Sequence, residues 1–321
     1  MRKWLLGGAV VLVLMLVLVA CGGGNTSDTN GNNDGNNNDT NNNDDNSAEE
    51  SGRIADLISE GTIHVGFADE KPYAYEEDGE LKGVAVDVAT EVLNSMGIEN
   101  VEGHLSDFGE LIPGLQAKKY DIITASMAIT GDRCENAAFG NPEVLYGEGL
   151  IVQAGNPLNL KSYQDIGDNP DAIIAIMSGA TENEFVQEYG VDESQIQSAP
   201  DIPATLSAVE SGRADATTGT EMTVRMAYES MNSDNLEFVE DFEQPIIVPE
   251  GGEAGSPSYG AAAFRLDDDE LREAYNEALA ELKDTDLYGE LLEANFFSLE
   301  SNGVGNDITA EEVCSGEIYQ Q

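Results

Sequence analysis

Between residues 52 and 321 the apolar positions fall into two rhythms, one of period two and one of period three to four. Residues 61–67 (GTIHVGF) alternate as a strand, run into the loop 68–75 (ADEKPYAY), and are followed by a turn at 77–79 (EDG). Val84, Val88, Val92 and Met96 recur at helical spacing, and Gly97 ends the pattern. A second unit follows, in which Phe108 and Gly109 lead into 111–115 (LIPGL) and 120–126 (YDIITAS) reads as a buried strand. The alternation then repeats. A strand at 172–177 ends in 178–181 (SGAT), which opens a helix through Tyr189; 204–212 reads as a helix and 214–218 as a strand. Near 258–264 (SYGAAAF) a strand precedes two amphipathic helices, 267–283 and 287–297, the first with Leu271, Tyr275, Leu279 and Leu282 on its apolar face. Strands alternating with helices predict an α/β fold with a mostly parallel sheet covered on both faces.

The beginning of the chain follows neither rhythm. Arg2 and Lys3 precede an uninterrupted apolar run, and Leu18, Val19, Ala20 and Cys21 close it, the parts of a secretory signal. A cysteine directly after small residues resembles the lipobox of bacterial-type lipoproteins. That resemblance implies a signal peptide at 1–20, cleavage before Cys21, and acylation of Cys21 as a membrane anchor. The alternative is a single transmembrane helix, for which the run 4–20 is at the short edge. Residues 22–50 hold eleven Asn, seven acidic residues and no apolar residue larger than Ala. Such a stretch cannot bury enough surface to offset its ordering entropy, so 21–51 is expected to be a lipidated, disordered tether.

Charge narrows the possible partners. Against 62 Asp and Glu stand 14 Lys and Arg, a formal net charge of -48. A nucleic-acid partner is not expected, because phosphate binding needs clustered cations. Anionic lipid heads would repel the chain unless it is anchored. Residues 51–321 carry 55 of the acids and 12 of the cations, so the acidity belongs to the folded part. It suits a halophilic or salt-exposed setting, where counter-ions screen self-repulsion. With Cys21 acylated, Cys134 and Cys314 remain as a pair in an exported setting; a disulfide is expected, the alternative being two separate buried thiols. There is no CxxC, no HExxH, and only His64 and His104, so no metal site or cofactor is expected.

Several segments together resemble the polar-amino-acid-type solute-binding proteins of ABC importers (family 3). They are 71–73 (KPY), Gly83 with Asp87, 111–121 (LIPGLQAKKYD), Ile129 and Thr130 with Arg133, 212–216 (GRADA), and Leu271 with Arg272. The resemblance implies a type II two-lobe fold with two crossing hinge strands: 52–147 plus 257–321 as lobe 1, and 148–256 as lobe 2. It implies a monomeric receptor outside the cytoplasm that delivers a small solute to permease subunits and is not an enzyme, although some dehydratases share the fold. Residues 133–135 (RCE), 139–142 (FGNP), 155–158 (GNPL), Ser162, Tyr163, Asp165, Ile166 and Cys314 resemble the ectoine- and hydroxyectoine-binding subgroup.

In open α/β sheets the loops after the strands face the ligand. Arg133 follows the strand ending near Ser126, and the resemblance assigns its guanidinium to a ligand carboxylate. Ala180 and Thr181 stand at a strand-to-helix turn, where free N–H groups would favour that carboxylate; Thr181 could equally be a plain N-cap. Amino-acid binders of the family carry an Asp shortly after the GRADA strand, where Thr220 stands here, which argues against a standard α-amino acid. Glu70, Tyr73 and Phe108 could instead form a carboxylate and aromatic faces for a delocalised cation, as ectoine has; the two aromatics could also be ordinary core residues. Met127 and Ala128 stand where the subgroup has an aromatic, so one wall of the cage is missing.

Overall fold

The computed structural model describes residues 52–248 and 255–320. The signal, Cys21 and the tether fall outside the described residues, as does the loop 249–254. The first half of the chain forms β1 (Thr62–Phe67), β2 (Tyr75–Glu77), β3 (Glu80–Lys82), β4 (Asn100–Leu105), β5 (Ile122–Ala128), β6 (Ala138–Phe139) and β7 (Val144–Tyr146). Then come β8 (Glu148–Gln153), β9 (Ile174–Met177), β10 (Ile196–Ala199), β11 (Ala216–Thr220) and β12 (Leu236–Phe238), and finally β13 (Ser258–Phe264).

Two sheets result. One runs β4-β1-β5-β13-β6, with β7 also on β13; the other runs β10-β9-β11-β8-β12. The chain passes from the first to the second at Gly147, between β7 and β8, and returns between β12 and β13. The expectation of a mostly parallel arrangement needs correction. β1 is parallel to β4 and β5, and β9 to β10 and β11, but β8 and β13 run antiparallel to their neighbours. Both reversed strands begin just after a crossing, so the path between sheets sets their direction.

Both faces of each sheet are covered. Along β13, Ala262 and Phe264 pack on one side with the helix Val84–Ser95, while Ala261 and Ala263 pack on the other with Leu111 and Leu115. In the second sheet Leu150, Val152, Ile174 and Ile176 face one way, and Ile151 and Ala175 the other. Every residue of β5 and β9 is buried, which is why they read as continuous apolar runs. The edge strand β4 is almost wholly exposed and showed no pattern. The turn at 77–79 becomes the β2–β3 hairpin, with Asp78 and Gly79 at positive φ. The expected helix 204–212 spans Ile202–Glu210, started by the Asp201 carboxylate accepting from the Ala204 N–H (2.7 Å). Cys134 and Cys314 are joined, with Cα atoms 6.0 Å apart, pinning the helix Ala310–Cys314 to the helix Gly131–Cys134.

Candidate functional site

Tyr73 is placed by a glycine. Gly83 has φ +119°, and a Cβ there would lie 2.3 Å from the Tyr73 carbonyl oxygen. Only glycine lets the helix Val84–Ser95 start so close to the loop, and its N–H groups at Val84 and Ala85 donate to the carbonyls of Pro72 and Tyr73 (both 3.0 Å). The Tyr73 ring packs edge-on to Tyr146 (5.3 Å between centroids) and tilted on Phe297 (5.2 Å). It is therefore both a core aromatic and a cavity wall. Its buried hydroxyl meets no hydrogen-bond partner. Glu70, on the same loop, is held by an exchange of backbone bonds with Ala74 (2.8 and 3.0 Å).

Ser126 interrupts β5. Its φ is +44°, unusual for a non-glycine, and the pairing of β5 with β13 shifts register beside it. Tyr146 holds the distortion by donating its hydroxyl to the Ser126 carbonyl (2.8 Å), and Gly260 makes room, since a Cβ there would lie 2.6 Å from that oxygen. The Ser126 hydroxyl is left buried without a partner. Backbone strain beside an unpaired polar group marks a place where a ligand can complete the bonding.

Past β5, the Thr130 hydroxyl caps the short helix Gly131–Cys134 and so sets the position of Arg133. The guanidinium donates through Nη1 to the Ala128 carbonyl and through Nη2 to the Gly179 carbonyl (both 2.8 Å), and lies 5.4 Å from the Phe108 ring centroid. Gly179 belongs to the second sheet's lobe, so Arg133 already spans the two lobes. Glu70 does the same from the other side, accepting from the Thr223 hydroxyl (2.9 Å) and the Thr220 hydroxyl (3.4 Å). The backbones nearly touch at Gly109 and Gly179.

These contacts surround a small cavity between the two lobes. Glu70, Tyr73, Phe108, Ser126, Arg133, Ala180, Thr181 and Thr220 all line it, together with Ala125, Ala128, Tyr146, Met177 and Glu182. Two expectations change in detail. The Ala180 N–H is engaged by the Met177 carbonyl (3.2 Å) and is not a free donor. Thr181 makes no side-chain cap to the helix Glu182–Glu188, so plain N-capping does not describe it. Tyr146 and Glu182 escaped the sequence reading: Tyr146 precedes a crossing the pattern did not mark, and Glu182 looks like any acid in a helix's first turn.

Burial dominates the electrostatics. It pushes the Glu70 carboxyl up to about 7, helped by Glu182 and opposed by the hydroxyls of Thr223 and Thr220 and by Arg133. Burial also lowers the Arg133 guanidinium's hold on its proton, against the surrounding carboxyls. The two histidines lie apart from the cavity, paired with each other on β1 and β4 (3.2 Å). Among the described residues no group of three or more His, Cys, Asp or Glu is arranged to hold a metal ion.

Two α/β lobes joined by two crossings and closed over a buried polar cavity make up the type II periplasmic-binding-protein fold. The chain belongs to the bacterial extracellular solute-binding proteins, family 3, whose model it matches over residues 63–298. It is 37% identical to a probable amino-acid ABC transporter periplasmic-binding protein, y4tE, of Sinorhizobium fredii, over 82% of this chain and 86% of that protein. Among solved structures it is similar to EhuB in complex with hydroxyectoine, with 32% identity and a TM-score of 0.72, covering 82% of this chain and 97% of that one. An ancestral arginine-binding protein bound to arginine is also similar, at 26% identity and a TM-score of 0.62, covering 74% and 98%. The protein is thus an amino-acid-type solute-binding component of an ABC importer, working outside the cytoplasm with permease subunits.

Proposed function

We propose that the protein captures a small zwitterionic compatible solute, ectoine or hydroxyectoine, by lobe closure, and that it acts as a receptor and not as an enzyme. The observation that carries this is the layout of the closed cavity. A guanidinium stands over Phe108, and a carboxylate on the Tyr73 loop is clasped by Thr220 and Thr223. A carboxylate would take the remaining donors of Arg133, and a delocalised cation would lie on the Tyr73 and Phe108 faces with Glu70 as counter-charge. Unpaired hydroxyls at Tyr73 and Ser126 are available to the solute's polar edge. The similarity to EhuB supports the same solute class.

Residues 52–147 with 257–321 would form one moving lobe and 148–256 the other, the closed form being what the permease engages. Titration calorimetry with ectoine is expected to give micromolar or tighter binding, roughly 8 kcal/mol or more. Arg133→Glu should abolish it, and absence of heat with the wild-type chain at millimolar ectoine would refute the solute assignment. Residues 1–21 support a lipid anchor at Cys21, holding a monomer at the outer face of the membrane through the 22–50 tether. Cys21→Ser should release the chain from the membrane fraction. The net charge of -48 suits a salt-rich exterior.

A further inference from the structure

Two buried carboxyls, Glu148 and Glu182, and the half-buried Glu70 and Arg133 stand in or against the cavity. The solute reading above uses Glu70 and Arg133, and leaves Glu148 and Glu182 without a role. Glu148 opens β8 directly after the crossing at Gly147 and sits opposite Thr220 on β11. The returning segment clasps its backbone: the Glu148 N–H donates to Gln244 Oε1 (2.8 Å), and Gln244 Nε2 donates to the Glu148 carbonyl (2.7 Å). Its side chain is 1% exposed, and neither carboxyl oxygen accepts from an N–H or a hydroxyl. Beside it stands the carboxyl of Glu182, 4% exposed, which lines the cavity and has Oε1 3.9 Å from where a Cβ would sit on Gly219, the β11 residue paired with Gly149 next to Glu148. Glu70 and Arg133 face this pair from the other lobe, and the hydroxyls of Tyr146 and Tyr163 face it from β7 and the helix Tyr163–Gly167.

Two carboxyls in contact out of water cannot both ionise, so the pair holds a proton between them. With a solute cation beside Glu70 holding it ionised, counting the pair as one negative charge, Glu70 as another and Arg133 as one positive leaves the lining of the closed cavity one negative charge in excess. A buried uncompensated charge is costly, so closure favours a contents list that sums to zero. A solute of net charge plus one meets that condition directly. A zwitterion meets it only if a further proton enters, and because the solute's cation keeps Glu70 ionised, that proton falls to the pair.

Resting on the solute reading above, we propose that the Glu148–Glu182 pair selects the solute by net charge: a zwitterion is captured together with one proton from solution, and a monocation without one. The proton comes from the buffer and ends on the pair, which becomes neutral. Glu70 stays ionised beside the solute's cation in both cases.

The test is calorimetry on the full chain at pH 7 with ectoine and, separately, L-arginine, each in buffers of different ionisation heat. For the wild type, ectoine should take up about one proton more than arginine, and its affinity should fall up to about tenfold per pH unit on the alkaline side. In the isosteric double variant Glu148→Gln/Glu182→Gln the cavity without solute sums to zero. Ectoine uptake of protons should then vanish, and the ratio of arginine to ectoine affinity should drop at least tenfold. Equal proton counts for the two probes in the wild type, or an ectoine-linked uptake that survives in the double variant, would overturn the proposal. Should neither probe bind the wild type, the solute reading fails, and the pair is read in the free protein. There the wild type should lose stability relative to the double variant as pH rises from about 5 to about 8, because a carboxyl pair that keeps its proton when folded gives that stability up as the proton leaves. Parallel curves would overturn the pair itself.

Discussion

Arg133 was legible because cations are scarce here: a chain with 14 Lys and Arg leaves few to place at random, and this one follows a buried strand. Glu182 and Glu148 were not, because an acid in a chain with 62 of them carries no signal until burial is known. Glu143 makes the same point away from the cavity. It is buried, accepts from the Tyr275 hydroxyl (2.6 Å) and has its second oxygen unpartnered; burial pushes its carboxyl up to about 7. A raised carboxyl stabilises the fold fully below its unfolded value and gives that contribution up as pH rises through the folded one. Denaturant midpoints measured from pH 5 to pH 8 should therefore decline less steeply for Glu143→Gln than for the wild type. A steeper or unchanged decline would mean that Glu143 is ionised in the fold.

At the scale of elements, buried strands and terminating glycines carried the sequence reading. β1, β5, β9 and β13 could be seen because sheets covered on both faces demand apolar runs. β4 and the reversal of β8 could not, one being exposed on an edge and the other fixed by where the chain crosses. Loops between elements bring the lobes into contact, and at one point both partners are glycines. Gly179 has φ +79°, and a Cβ there would lie 2.7 Å from the Cα of Gly109 in the other lobe. Gly179→Ala should therefore cost about 1 kcal/mol of folding stability from the backbone alone. Its larger effect should be on closure: solute affinity is expected to fall at least tenfold. Calorimetry beside a thermal melt separates the two, and an unchanged affinity would show that the lobes need not approach this closely.

At the scale of the whole fold, the disulfide from Cys134 to Cys314 closes a loop with a sequence separation of 180. Loops of that size restrict the unfolded chain strongly, so Cys134→Ser/Cys314→Ser should lose about 2–5 kcal/mol, read from the urea midpoint of the oxidised wild type against the variant. Affinity should change little, since neither cysteine lines the cavity. The sequence alone determined the α/β alternation and the contrast between an apolar start, an Asn-rich polar stretch and an acidic remainder. Those follow from local periodicity, composition and charge, which a linear chain displays. Tertiary structure alone decided that Glu70, Arg133, Tyr73 and Thr220 face one another, and that Glu148 and Glu182 share one buried place. Contacts between residues far apart in the chain, and the loss of water around them, exist only once the two sheets close on each other.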